Sequence, residues 1–213
     1  MKKIMENVYE SEHPLIKHKI SILRDRSTGT NEFRSITEEL GMLLGYEALT
    51  DLPLEDVEVE TPVAPCMTPM LSGRKPAIVP ILRAGLGLVP GLLKLLPSAK
   101  VGHIGMYRDE TTFEPHEYFC KLPLNIEERL VIVTEPMLAT GGSTVDAADL
   151  LKARGVKRIK MIVLIAAMEG IERLHEAHPD IELYIAQIDE GLTETKYITP
   201  GLGDAGDRIF GTK

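Results

Sequence analysis

The residue types best suited to chemistry lie in a few short segments. The first is Leu130-Val-Ile-Val-Thr-Glu-Pro-Met-Leu-Ala-Thr-Gly-Gly-Ser-Thr144, where an apolar run delivers a carboxylate, Glu135. A short loop then reaches Thr140, Gly141, Gly142, Ser143 and Thr144. Glycines let a backbone close on an anion and take positive φ. A helix starting there presents N–H groups with no partner of their own, and its dipole favours negative charge. The Ser and Thr hydroxyls add donors, and a monophosphate fits this set. The same residues also make an ordinary helix cap and tight turn. The buried strand before them and the carboxylate just upstream favour the phosphate. A P-loop is excluded, because its GxxxxGK[ST] pattern needs a lysine that is absent here.

The second segment, Pro80-Ile-Leu-Arg-Ala-Gly-Leu-Gly-Leu88, places Arg83 at the end of an apolar run, with Gly85 and Gly87 behind it. Pro90 occupies the position where a dinucleotide fingerprint needs its next glycine. An arginine between a strand end and glycines suits a pyrophosphate, through bidentate donors, as it also suits a structural salt bridge. The third segment is Gly105-Met-Tyr-Arg-Asp-Glu110, then a polar stretch, then Tyr118-Phe-Cys-Lys-Leu122. It reads as a hairpin with a polar tip: a flap able to exclude water and bring Arg108 to an anion, or a solvated hairpin and no more. The fourth, Tyr197-Ile-Thr-Pro-Gly-Leu-Gly-Asp-Ala-Gly-Asp-Arg-Ile-Phe-Gly-Thr-Lys213, is too rich in glycine for regular helix or strand. It is expected to be a structured loop, since Ile198, Leu202, Ile209 and Phe210 supply anchors that a disordered tail would lack. No Cys/His cluster has zinc spacing, and His103 and His116 read as ordinary core or surface residues.

These segments need a scaffold. Pro14 to Arg24 has loose helical spacing, and Asn31 could cap a second helix through Phe33, Ile36, Leu40, Leu43 and Leu44. The first quarter therefore reads helical. Residues 51–76 carry Pro53, Pro62, Pro65, Pro69 and Pro76 around a β-branched stretch, an edge hairpin or connector. From Ala77 onward, short apolar runs (77–82, 101–107, 130–134, 159–166 and 182–188) alternate with helical ones (86–96, 144–153 and 170–177). That alternation predicts βαβ units and a mainly parallel sheet flanked by helices, an α/β fold. In such sheets ligands bind beyond the carboxyl ends of the strands, where Arg83, Arg108 and Glu135 fall.

Composition narrows the classes. The 213 residues are 44% hydrophobic and 26% charged, values of an ordinary globular chain. Aromatics are only 5% and Trp is absent, so the core must be aliphatic. A net charge of −8 argues against an extended nucleic-acid surface but not against a nucleotide-sized anion pocket. Two cysteines, Cys66 and Cys120, make no disulfide framework. The first residues lack the apolar core of a signal peptide, and the run Met161 to Met168 is far short of the ~20 residues that span a membrane. The expected location is cytoplasmic.

The segment from Glu135 to Thr144 resembles the phosphoribosyl pyrophosphate (PRPP) motif of type I phosphoribosyltransferases, and Pro-Met-Leu-Ala-Thr-Gly-Gly-Ser resembles the uracil phosphoribosyltransferase branch. Arg-Ala-Gly-Leu-Gly, the Tyr-Arg-x-Glu and Tyr-Phe-x-Lys-Leu pieces, and above all Pro-Gly-Leu-Gly-Asp-Ala-Gly-Asp-Arg-Ile-Phe-Gly-Thr resemble the same family. That branch has Asp before Pro-Met-Leu; here Glu135 keeps the carboxylate on a stem one methylene longer. The resemblance implies a type I phosphoribosyltransferase-like fold over residues 1–213. A helical arm would span 1–50, a flexible β-hairpin hood 105–123 and a base-binding loop 197–213. It implies transfer of 5-phosphoribose from PRPP to N1 of uracil, giving UMP and pyrophosphate, a step of pyrimidine salvage. PRPP would be held by Arg83, Arg108, Glu135, Pro136, Met137, Leu138, Ala139, Thr140, Gly141, Gly142, Ser143 and Asp204. Uracil would be held by Ile198, Gly203, Asp204 and Ala205. Arg83, Arg108 and Asp204 would be catalytic. The resemblance also implies Mg²⁺ brought by PRPP rather than by a protein cage, a homodimer or higher homo-oligomer, and GTP as an activator in some members. A phosphoribosyltransferase for another base and a non-catalytic, RNA-binding nucleotide sensor are the alternatives. The C-terminal wording counts against the first and the acidic balance against the second.

Overall fold

The computed structural model describes residues 1–108 and 115–212, and residues 107, 108, 115 and 116 as backbone only. The chain opens with an antiparallel hairpin of β1 (Lys2–Met5) and β2 (Val8–Glu10), turned at Asn7 with φ of 58°. Helices α1 (Pro14–Arg24) and α2 (Thr30–Ala48) follow, then β3 (Leu54–Glu60) and β4 (Pro65–Leu71). Next come β5 (Ala77–Leu82), a 3₁₀ turn at Ala84–Leu88, α3 (Val89–Leu95), β6 (Lys100–Val101) and β7 (His103–Arg108). After them lie β8 (Pro115–Lys121), β9 (Leu130–Thr134), β10 (Met137–Leu138) and α4 (Gly142–Ala153). The last third holds β11 (Arg158–Ala167), α5 (Met168–Ala177), β12 (Glu182–Asp189), β13 (Gly191–Leu192), β14 (Ile198–Thr199) and α6 (Ala205–Phe210).

The main sheet runs β1-β2-β12-β11-β9-β5-β7-β8. It is parallel from β2 to β7 and antiparallel at both edges. Its central strands read as unbroken apolar runs because both faces are covered. Ile78, Ile132, Ile162 and Leu164 face a layer with Ile20, Phe33, Leu40 and Leu92 of α1, α2 and α3. Their chain neighbours Val79, Val131, Val133, Met161 and Val163 face Ala147, Leu151, Ile171 and Leu174 of α4 and α5. One residue of shift would exchange the two faces, so the alternation holds the register. Lys160 is the exception inside this apolar run. Its fully buried ammonium meets Asp51 at 2.6 Å and Glu182 at 3.0 Å and donates to the Ala48 carbonyl at 2.8 Å, tying the end of α2 to the sheet.

Three sequence expectations change. Residues 2–10, read within a helical first quarter, are the β1–β2 hairpin, and its pairing with β12 supplies the backbone bonds so short a segment cannot supply for itself. Asn31 is not the cap of α2. Gly29 is, and its carbonyl accepts the Phe33 N–H at 2.9 Å, which draws Thr30 and Asn31 into the first turn. The glycine-rich C-terminus does form regular structure, since β14 pairs with β13 and α6 follows. Asp204 caps α6 by accepting the Asp207 N–H at 2.9 Å, and Gly211, at φ of 68°, ends it. The 51–76 connector is an antiparallel hairpin of β3 and β4 that pairs with no other strand among the described residues, with Leu54, Met67, Met70 and Leu71 exposed.

Candidate active site

The carboxyl ends of β5, β9, β11 and β12 share one edge of the sheet, and the candidate residues gather there. Beyond β9 the backbone turns at once. Glu135 N–H donates to the Ile162 carbonyl, and the Pro136 carbonyl accepts from Leu164 and Ile165 N–H, which lays β10 beside β11. Residues 139–142 then pass under α5. A Cβ on Gly170 would stand 2.4 Å from the Ala139 carbonyl oxygen, and one on Gly141 would stand 2.9 Å from the Gly170 carbonyl oxygen. Only bare backbone fits so close an approach. Gly141 takes φ of 78° and is the N-cap of α4, so the first N–H groups of that helix open onto the loop. Thr144 Oγ1 donates back to the Gly141 carbonyl at 2.8 Å, fixing the first turn. The arrangement is an anion site made of backbone.

Two cavities adjoin. One of about 160 Å³ is bounded by Glu135 and the loop from Met137 to Thr144. The other, of about 350 Å³, lies between Glu135, Ala84 and the C-terminal loop at Ile198, Gly203, Asp204 and Ala205. They share Glu135, Met137 and Ala139, so a carboxylate stands where an anion cradle meets a wider cleft. Burial, partly offset by the Met137 N–H it accepts and reinforced by the charge of Asp204, pushes the Glu135 carboxyl up to about 8. Burial thus disfavours the charged form of Glu135, and hydroxyl donors or a cation placed against it would favour that form.

Of the expected residues, Glu135, Met137, Ala139, Thr140, Gly141, Gly142 and Ser143 border this continuous groove, as do Leu138, Ile198, Gly203, Asp204 and Ala205. Pro136 does not; it is buried toward the sheet, where its carbonyl is engaged. Arg83 sits at the rim, 56% exposed, with its guanidinium 3.5 Å from Asp207 and 5.9 Å from the Phe210 ring centre. The turn after it is pressed onto the site, since Thr134 Oγ1 donates to the Gly85 carbonyl at 2.9 Å and Gly87 packs against Ile209. Arg108 ends β7 opposite Pro115 of β8, its side chain outside the described residues, as are residues 109–114 of the expected hood.

Sequence reasoning missed the third wall of the cleft. Thr195 and Lys196, beside Tyr197 of the expected base-binding loop, line it from the tip of a turn between β13 and β14. Lys196 holds φ of 65° there, a left-handed position that a lysine's presence does not announce. It also missed the framework behind the C-terminal loop. Arg208 donates to the carbonyls of Leu23, Leu202 and Asp25 and lies over the Phe33 ring at 4.3 Å. Leu23, Asp25 and Phe33 are far from Arg208 in sequence, so no local pattern marks them.

Comparison with known proteins agrees with this geometry. The family model described as uracil phosphoribosyltransferase matches residues 10–212. The chain is 60% identical over 209 residues to a uracil phosphoribosyltransferase of Clostridium novyi (strain NT), covering 98% of this chain and 100% of the relative. It is 59% identical over 208 residues to one from Thermoanaerobacter sp. (strain X514), covering 98% and 99%. Among solved structures, the AQ2163 protein from Aquifex aeolicus superposes with a TM-score of 0.89 at 41% identity, over 95% of this chain and 97% of that one. An adenine phosphoribosyl transferase from Trypanosoma brucei shares the fold, with a TM-score of 0.60 at 12% identity over 94% and 90%.

Proposed function

The chain belongs to the uracil phosphoribosyltransferase family, and from that premise we propose that it transfers 5-phosphoribose from PRPP to N1 of uracil, giving UMP and pyrophosphate. The observation that carries the site assignment is the pair of adjoining cavities with Glu135 at their junction. A nucleoside monophosphate has the same order: phosphate, ribose, base. The loop from Thr140 to Thr144 takes the 5-phosphate on the first N–H groups of α4. Glu135 takes the ribose hydroxyls. Ile198, Gly203 and Ala205 read the base through backbone groups, with Asp204 against the ribose.

The bond from the anomeric carbon to pyrophosphate breaks as that carbon bonds to N1 of uracil, and the N1 proton leaves. The carbon passes through an oxocarbenium-like state, so no nucleophilic side chain is needed. Catalysis is positioning together with stabilisation of the leaving charge. Arg83 and Arg108, at the ends of β5 and β7, reach the pyrophosphate, with residues 105–123 acting as the hood. Among the described residues no group of three or more His, Cys, Asp or Glu could hold a metal ion. The carboxylates of Glu135 and Asp204 both border the cleft and suit a cation that arrives on PRPP. Mg²⁺ held there would supply positive charge against the pyrophosphate.

Uracil carries an N3–H donor between two carbonyl acceptors, whereas cytosine carries an amino group at C4 and a bare N3. A fixed array of backbone N–H and C=O satisfies one and leaves buried groups unpaired against the other, a mismatch able to discriminate by up to about 10⁴–10⁵-fold. In this reading residues 1–213 are one phosphoribosyltransferase domain. No described helix is long and apolar enough to cross a membrane. The apolar residues exposed on β3 and β4 support a homo-oligomer. GTP activation rests on the family resemblance, and assay with and without GTP tests it. The direct test of the activity supplies labelled uracil, PRPP and Mg²⁺ beside cytosine, hypoxanthine and orotate. UMP from uracil alone is expected; a folded preparation that makes none overturns the reading.

A further inference from the structure

The groups assigned to uracil are backbone groups, so their spacing depends on what holds the loop, and much of that hold comes from behind it. Asp189, the last residue of β12, has a side chain only 2% exposed. Arg24, the last residue of α1, grips both its oxygens, Nη1 to Oδ2 at 2.8 Å and Nη2 to Oδ1 at 2.5 Å. Both partners then reach the same loop residue. Asp189 Oδ2 accepts the Gly201 N–H at 2.9 Å, and Arg24 Nη1 donates to the Gly201 carbonyl at 2.8 Å. Gly201 is therefore held at its N–H and at its C=O by one ion pair, whose carboxylate is buried and whose guanidinium is partly exposed.

Gly201 in turn bears on the base site. It holds φ of 60°, and a Cβ added to it would stand 2.2 Å from the Ile198 carbonyl oxygen. The position of Gly201 thus sets that of Ile198, which lines the cleft, while Gly203 and Ala205 follow a few residues on. A second contact braces the same stretch from the same helix end. Arg208 donates to the Leu202 carbonyl at 2.8 Å and to the Leu23 and Asp25 carbonyls flanking Arg24.

We infer that Arg24 and Asp189, neither of which borders the cleft, are positioning residues that set the base-reading backbone and with it the preference for uracil; this rests on the uracil subsite proposed above. Taking the charge from Asp189 leaves a guanidinium facing a neutral amide in a buried place and releases Gly201. Lysine in place of Arg24 is a single point charge, unable to grip two carboxylate oxygens and a carbonyl as a planar fork does.

The test is steady-state kinetics of the full chain, with Asp189→Asn and Arg24→Lys beside wild type. Uracil and PRPP are varied separately, cytosine is offered as a competing base, and melting is followed in parallel. For Asp189→Asn we expect the KM for uracil to rise by about 10-fold to 100-fold, since a displacement of about an ångström in a binding group is enough for that. The KM for PRPP should stay within about twofold, because the phosphate loop has no bond to this pair. Discrimination against cytosine should fall, and Arg24→Lys should lie between the two proteins. Folded variants in which both KM values move together, or neither moves, overturn the inference. A wild-type protein that forms no UMP overturns the uracil subsite itself and is seen before any variant is compared.

Discussion

The two ends of the groove are built in opposite ways. At the phosphate end, everything that makes the site comes from consecutive residues: strand, Glu135, Gly141, and the start of α4. Two neighbouring elements seat it: β11, whose backbone bonds to Glu135 and Pro136, and α5, where Gly170 packs on Ala139 and Gly141. At the base end, the loop behind the cleft is held, through Gly201 and Arg208, by partners from α1, β12 and α2, more than a hundred residues away in sequence except for Asp189. An anion needs a cluster of donors and a dipole, which a helix start supplies wherever it occurs. A planar base needs donors and acceptors in a fixed order and spacing, and a loop rich in glycine holds that only if other elements immobilise it.

If the phosphate end depends on close backbone packing, crowding one contact should ruin it. Gly170→Val drives a branched side chain into the Ala139 carbonyl, 2.4 Å from the Cβ position. PRPP binding should weaken by about 100-fold, ~2.7 kcal/mol, as for overpacking against rigid backbone, measured by calorimetric titration.

Glu135→Gln comes next and touches the junction. Losing charged hydrogen bonds to the ribose should cost about 2 kcal/mol of PRPP affinity, with the fold intact by circular dichroism. The same variant changes the pH profile. In the folded, ligand-free protein this carboxyl keeps its proton up to about 8, against an ordinary 4.5. Between those values the folded state binds more protons than the unfolded chain, so stability falls as pH rises through the window. Thermal melts from pH 5 to 8 should show that decline weakened in Glu135→Gln.

Arg208→Lys probes the base end. It keeps a cation over Phe33 but loses the fork that reaches several carbonyls, so the KM for uracil should rise about fivefold, ~1 kcal/mol, with that for PRPP unmoved. Smallest is Asp207→Asn. Its 3.5 Å pairing with Arg83 is long and lies at the rim, with Arg83 mostly exposed and Asp207 partly buried, and the change should be under ~1 kcal/mol in any kinetic constant. A larger effect there would mean that the two ends communicate through the rim.

The same contrast governs what could be read from the sequence. The bounds of β5 and β9 follow from their apolar runs, and Gly141 and Gly142 announce their turn by residue type. The parallel order follows from alternation of strands and helices. The β1–β2 hairpin was not legible, because strands of four and three residues carry little periodicity and exist only against β12. Nor was α6, six residues among glycines, whose start is Asp204 acting as a cap while it also borders the cleft. Arg24, Asp189 and Arg208 look like ordinary charges until the fold brings them together.

The most direct test is a crystal structure of the protein with UMP. The account places the phosphate on the N–H groups of residues 140–144, the ribose hydroxyls on Glu135, and the base against the backbone of Ile198, Gly203 and Ala205, with Arg24 and Asp189 still joined at Gly201. A nucleotide bound in the reverse sense, or outside the groove that Glu135 divides, would contradict it.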